Sequence, residues 1–511
     1  MALFLALLPA LVMITLVIIT RKVLISLGVG VVLAAFIYAN YNPIDAVVYL
    51  AESFWAIISD FGWYMPILGF CIIIGGITSV ITLMGGVRAF ASWAVAKIKN
   101  KVAAQLVTWV LGIIIMIDDY FNALVIGEVS KPITDEYNVS RAKLAYVIDS
   151  TSAPVVILMP ISTWGAYIIG LIGGLFASNS FDAQSGLQGF ISAIPYQFYP
   201  ITAVIMVFLI IRFGISFGPM KKFEEAAETG VDPSKLETET VSKLQVEGKK
   251  ATQWSLIAPI LLLVFTTFFA MLVKAGFVFA DMMSQDITVP LFLGGVSAFV
   301  LAVILALLDR NVKPMSILKV SATGMLGMAK SAGAILILAW MVSTAIQDLG
   351  TGDLIAEVVV NSNIAHSLLP LILFFIAGAM AFATGTSWGS FGILLPIAIP
   401  VALATDVTFL PAIIAAVLGG AVFGDHTSPV SDTTVLSATG ARSTLHSHFI
   451  TQLPYALVGF GIAAIGYVVY GLTEIIWLAY IVIAVLLFLF VKFWKVIFVK
   501  QPQAQKAPAE E

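Results

Sequence analysis

Six acidic side chains fall within the apolar stretches of this sequence: Asp118, Asp119, Glu128, Asp149, Asp425 and Asp432. A charge in hydrocarbon is costly, so acids in such places are rare and usually functional. No basic residue lies within the same polar motifs. That setting calls for a bound cation, or for a proton held on the carboxyl. A carboxylate that takes sodium or a proton, but never both, couples the movement of the two.

Each motif has a chemical reading and a plainer one beside it. In Asp118-Asp119-Tyr120-Phe121-Asn122, a helical backbone would put Asp118 and Asn122 on one face. Asp118 could equally cap the half-helix that follows. Thr384-Gly385-Thr386-Ser387-Trp388-Gly389 is rich in hydroxyls, and glycine allows close backbone approach. It could ligate sodium, hold a solute carboxylate at a helix N-terminus, or simply pack small residues between helices. Asp149-Ser150-Thr151-Ser152 and Asp425-His426-Thr427-Ser428 precede Pro154 and Pro429, and proline frees a carbonyl one turn earlier. His426 could carry a proton, sense pH, or only bridge two helices. Glu128 precedes Lys131 by three and could simply pair with it. The candidate cation or proton ligands are thus Asp118, Asp119, Asn122, Asp149, Thr151, Ser152, Thr384, Thr386, Ser387, Asp425, Thr427, Ser428 and Asp432. Ser162, Thr163, Trp164 and Trp388 are candidate solute contacts. Any metal is sodium at a subset of these residues, and no cofactor is expected.

The elements that position these residues follow from composition. Of 511 residues, 60% are hydrophobic and 11% charged, with 26 basic and 29 acidic side chains. A soluble chain carries roughly 25% charge, so this one is read as an all-α polytopic membrane protein, not a soluble enzyme. A net charge of −3 implies no nucleic-acid partner. One cysteine, Cys71, excludes an internal disulfide framework. The Walker phosphate loop and the His-Glu-x-x-His zinc signature do not occur.

Apolar runs long enough to span a bilayer, about 20 residues each, recur at 2–20, 23–39, 62–84, 145–176, 196–216, 254–273, 288–308, 327–348, 409–440, 450–471 and 475–498. That is about 11 spans. Two further stretches, 103–131 and 366–404, are broken in the middle and read as re-entrant hairpins. Basic residues mark cytoplasmic ends, among them Lys22, Arg88, Lys97, Lys99, Lys101, Arg212, Arg310, Lys313, Lys319 and Arg442. Segments 40–61, 177–195 and 349–365 lack Lys and Arg and read as external. The expected organisation is a first repeat over 1–217, a cytoplasmic and partly flexible linker over 218–252, and a second, inverted repeat over 253–471. An extra span at 472–500 and a disordered tail at 501–511 complete it, with the C-terminus cytoplasmic. Asp-x-Thr-Ser followed closely by Pro-Val occurs in both halves, each time after a hairpin and with opposite sidedness. An inverted 5+5 repeat with broken helices is a secondary-transporter design.

At these motifs the sequence resembles the NhaC family of sodium/proton antiporters. The resemblance rests on residues 117–124, 148–154, 160–167, 384–389 and 424–429, and runs over about 60–460. It implies an inverted-repeat transporter in a bacterial plasma membrane. Homodimers are frequent in transporters of this architecture, and some members carry organic acids or amino acids. The leading reading is a sodium/proton antiporter working by alternating access at mid-membrane carboxylates, with Asp118, Asp119 and Asp425 foremost. The alternative is a sodium- or proton-coupled carrier of a small organic acid or amino acid. A channel or receptor is a third class, and a channel needs a continuous pore.

Overall fold

The structure, a computed structural model, describes residues 2–20, 22–95, 98, 100–235, 246–278, 287–350, 366–429 and 431–498. Lys97, Lys99, segment 351–365 and the tail at 501–511 lie outside the described residues. So do the side chains of Glu128 and Asp432.

The first half opens with α1 (Ala2–Thr20), α2 (Val23–Tyr38), α3 (Pro43–Ser59), α4 (Tyr64–Met84) and α5 (Gly86–Val95). A reversing pair follows, α6 (Lys101–Ile114) and α7 (Asp119–Glu136). Then come α8 (Arg141–Thr151), α9 (Ala153–Val156), α10 (Thr163–Ser178), α11 (Gly186–Ala193) and α12 (Phe198–Arg212). The linker forms α13 (Gly218–Glu228). The second half runs through α14 (Trp254–Lys274), α15 (Thr288–Leu308), α16 (Pro314–Met328), α17 (Ala334–Asp348), α18 (Leu369–Thr384) and α19 (Ser387–Thr405). It ends with α20 (Leu410–Thr427), α21 (Asp432–Ala441), α22 (Leu445–Thr473) and α23 (Ile476–Phe498).

The chain is an all-helical membrane protein. Among the described residues, eight helices are long and apolar enough to cross a bilayer. The count is nine if Gly186–Tyr196 and Phe198–Arg212, bent by 51°, form one span. The stretch expected at 145–176 is divided into α8, α9 and α10. The span expected from 327 begins earlier, at Pro314, and passes through a π-helical turn, Ala329–Gly333, before α17. Segments 40–61 and 177–195, read as external, contain α3 and α11.

The core sits on α20, buried at every residue except Pro411. Its flanks are α18 and α19. α4 packs on α15 and α16, and α7 packs on α21. The last crossing is tight because glycines face each other: a Cβ at Gly127 would strike the backbone of Gly440.

Two breaks set the site. The first lies between α6 and α7, where Asn122 Nδ2 donates to Gly112 O at 2.8 Å and Ile115 O at 2.7 Å. Ten residues of straight helix would hold Asn122 and Gly112 about 15 Å apart, so the chain reverses here. The second lies at Gly385 (φ +71°), left-handed as glycine readily allows, and extended Thr386.

The linker is docked where it is described. Glu224 on α13 lies 3.2 Å from Lys101 and 3.7 Å from Lys143, and accepts from Ser140 N at 2.8 Å. Burial pushes its carboxyl up, but Lys143 and Lys101 outweigh that and hold it below the ordinary 4.5. Further on, Asp309 accepts from the amides of Lys249 and Lys250, and Glu247 accepts from Ser316. Glu224, Glu228 and Glu247 of the linker thus have partners on the helical body.

Candidate functional site

Asp118 is extended (φ −153°, ψ 136°) and caps α7 by accepting from Phe121 N at 2.9 Å. Its second oxygen accepts from Thr163, the first residue of α10, at 3.1 Å. Asp118 therefore does not share a helical face with Asn122. Asp118 also contributes to the wall of a cavity of about 670 Å³. Thr78, Ser79 and Thr82 of α4 and Lys319 and Thr323 of α16 also line that cavity.

Asp119 is buried in the first turn of α7. Its carbonyl accepts from Ser152 at 2.7 Å, and Asn122 reaches Thr151 O at 3.4 Å. The α6–α7 turn is thus bonded to the kink at Ser152, where φ −87° and ψ −94° end α8. Pro154 follows in the first turn of α9, where proline is tolerated.

Asp425 lies in the last turn of α20 and accepts from several hydroxyls. One oxygen accepts from the Ser387 hydroxyl at 2.7 Å and the Ser387 amide at 3.1 Å. The other accepts from Ser431 at 2.5 Å and Thr433 at 3.4 Å. Ser431 also caps α21. The N-termini of α19 and α21 both converge on this carboxylate, and each favours negative charge.

Asp149 differs from the other acids. It accepts from His448 Nε2 at 3.0 Å, Gln452 at 2.7 Å and Ser437 at 3.2 Å. The reading that the acids lack basic partners is corrected here, because α22 brings in a histidine from outside the motifs. His448 and Gln452 stand four apart in a polar pattern at the start of an apolar helix, which is the signal that marks them. His426 is held at both ring nitrogens, by Ser150 at 3.0 Å and Tyr199 at 2.8 Å. Gln452 also donates to His426 O.

The other candidates have local partners. Thr151 and Thr427 donate to carbonyls one turn back, at 2.7 Å in each case. Thr384 donates to Ala381 O at 3.4 Å. Thr386 begins α19 without a side-chain cap bond. Ser428, in the break after α20, is fully buried. Ser162 spends its hydroxyl capping α10 and donating to Met159 O. Trp164 and Trp388 meet edge to face at 5.6 Å, and Tyr167 donates to Trp388 O at 3.3 Å.

Ser152 follows α8 and Ser428 follows α20, each as the C-cap of its helix. The Asp-x-Thr-Ser match is in register: Asp149 and Asp425 each stand two residues before the last residue of their helix, Thr151 of α8 and Thr427 of α20.

The model of the Na+/H+ antiporter family matches residues 155–472. The chain belongs to the Na+/H+ antiporter family. A Haemophilus influenzae protein described as uncharacterized is 39% identical over 478 residues, 91% of this chain and 90% of that protein. A Bacillus subtilis malate-2H+/Na+-lactate antiporter is 36% identical over 107 residues, 20% of this chain and 22% of the relative. Among solved structures, the YdaH transporter of Alcanivorax borkumensis has a similar fold. It gives a TM-score of 0.54 at 12% identity and covers 83% of this chain and 89% of that one. This family member is thus a secondary transporter of the membrane and not an enzyme.

Proposed function

We propose that this antiporter-family protein exchanges sodium for protons across a bacterial plasma membrane by alternating access, with the C-terminus in the cytoplasm. The observation that carries this is the setting of Asp425, a buried carboxylate amid the hydroxyls of Ser387, Ser431 and Thr433. Hydroxyls can donate to a bare carboxylate, or rotate and present lone pairs to sodium beside it. Protonation removes the charge that holds the ion, so sodium and proton compete for one site. Asp118, at the wall of the cavity, is the second carboxylate, and Asp119 lies in the same turn. Sodium is the transported ion, and no resident cofactor is required.

The test uses purified protein in sealed liposomes with an internal pH dye. Sodium added outside, without organic solute, drives proton movement that Asp425→Asn abolishes. No movement in sealed wild-type liposomes sinks the proposal.

One observation favours a second reading, a sodium- or proton-coupled carrier of a small organic acid or amino acid. The cavity at Asp118 holds about 670 Å³, far more than an ion needs when one water occupies about 30 Å³. Lys319 on its wall offers an ammonium to a solute carboxylate. In the same liposomes, malate or lactate would then be required before sodium moved protons.

A further inference from the structure

A groove runs between α12 and α23 on the outer surface of the helical body. Ile201, Ile205 and Leu209 repeat every fourth residue along its α12 wall. Ala484 and Phe488 do the same on α23, and the small Ala484 opens the gap between the helices. The groove has a volume of about 520 Å³.

The two helices run parallel. Tyr480 donates to Pro195 O at 2.5 Å near both starts, and the Phe490 ring lies 6.0 Å from Phe217 near both ends. Phe213 and Lys492 therefore share one end of the groove. There the Arg212 guanidinium lies 5.8 Å from the Phe213 ring centre. Among the described residues neither Arg212 nor Lys492 forms an ion pair. From Tyr480 to Lys492 the groove is about 18 Å long at 1.5 Å per residue. That is close to the hydrocarbon depth of one leaflet, half of about 30 Å.

We propose that this groove is a binding site for an anionic phospholipid. One acyl chain lies along α12 and α23, and the phosphate sits between Arg212 and Lys492. Apolar walls alone would accept any lipid; the two cations at one end select the headgroup. A basic residue beside an anionic lipid surface adds about fivefold in binding, so the pair favours an anionic over a zwitterionic lipid by about 25-fold.

Full-length protein, stripped of lipid in neutral detergent, would be titrated with phosphatidylglycerol, phosphatidylcholine or glycerol phosphate and read by native mass spectrometry. The expected result is retention of phosphatidylglycerol, about 25-fold weaker retention of phosphatidylcholine, and none of glycerol phosphate. Arg212→Gln with Lys492→Gln should remove the preference. Ala484→Trp should fill the groove and release both lipids. Equal retention of the two lipids by wild type, or a preference that survives in the charge variant, overturns the proposal. So does loss of a dimer in Ala484→Trp, which would make the groove a contact between copies. Both cations are exposed, so the charge variant keeps the test intact if the tryptophan variant fails to fold.

Discussion

Ser150 and His426 meet at 3.0 Å, although 276 positions separate them. Their contact joins the two Asp-x-Thr-Ser segments across the halves of the chain. Tyr199 holds the other ring nitrogen, so the imidazole is fixed on both sides by hydroxyls. Replacing His426 with Ala strands two buried hydroxyls, at about 1–3 kcal/mol each. The expected outcome is a lower unfolding temperature in detergent. His426→Asn should keep the midpoint of the transport pH profile if the residue only bridges helices, and a moved midpoint would make it a pH sensor.

Ser387 gives Asp425 both a hydroxyl and an amide. Ser387→Ala removes only the hydroxyl, a net loss of about 0.5–1.5 kcal/mol. The sodium concentration for half-maximal proton movement should rise about two- to tenfold. Asp425→Asn should abolish the signal while the protein still elutes as a single folded peak. An unchanged sodium dependence in Ser387→Ala would remove this serine from the ion site.

Asp149 and His448 form a fully buried pair. Breaking such a pair from one side leaves a buried polar group without its partner, at about 1–3 kcal/mol. Asp149→Ala and His448→Ala should each destabilise strongly, and the double variant should lose much less than the sum of the two. Additive losses in thermal unfolding would contradict the pairing.

Thr323 lies on the wall of the Asp118 cavity, while Cys71 is the sole native cysteine and is buried. Thr323→Cys should therefore react with a charged, membrane-impermeant thiol reagent from one side of the membrane only. Modification should block transport, and the wild-type protein should stay unlabelled. Equal labelling from both sides would rule out a one-sided cavity.

Glu224 fastens the linker to Lys101 and Lys143. Its native carboxyl titrates below the ordinary 4.5, so the released chain binds more protons as pH falls. The docking energy is fully present above about pH 4.5 and fades as pH drops through the lower native value. Limited proteolysis of the linker should accelerate below pH 4.5. Glu224→Gln should be cut readily even at pH 7.

The sequence by itself determined the membrane class, because so few charges cannot hydrate the surface of a soluble chain this long. It also located the helical breaks at Asp118 and Gly385, since a capping acid and a glycine are local signals. The helical break beside Pro429 was legible for the same reason. Tertiary structure decided the partners. His448 reaches Asp149 from 299 positions away, and Ser431 closes on Asp425 only because α20 ends at Thr427. Lys319 faces the Asp118 cavity because α16 begins at Pro314, well before its apolar run. Glu224 and Glu247 show no partners in the linker sequence, because those partners lie on other helices. Hydrophobic periodicity places helices, but hydrogen-bond pairing between distant helices follows no period, so only the folded chain displays it.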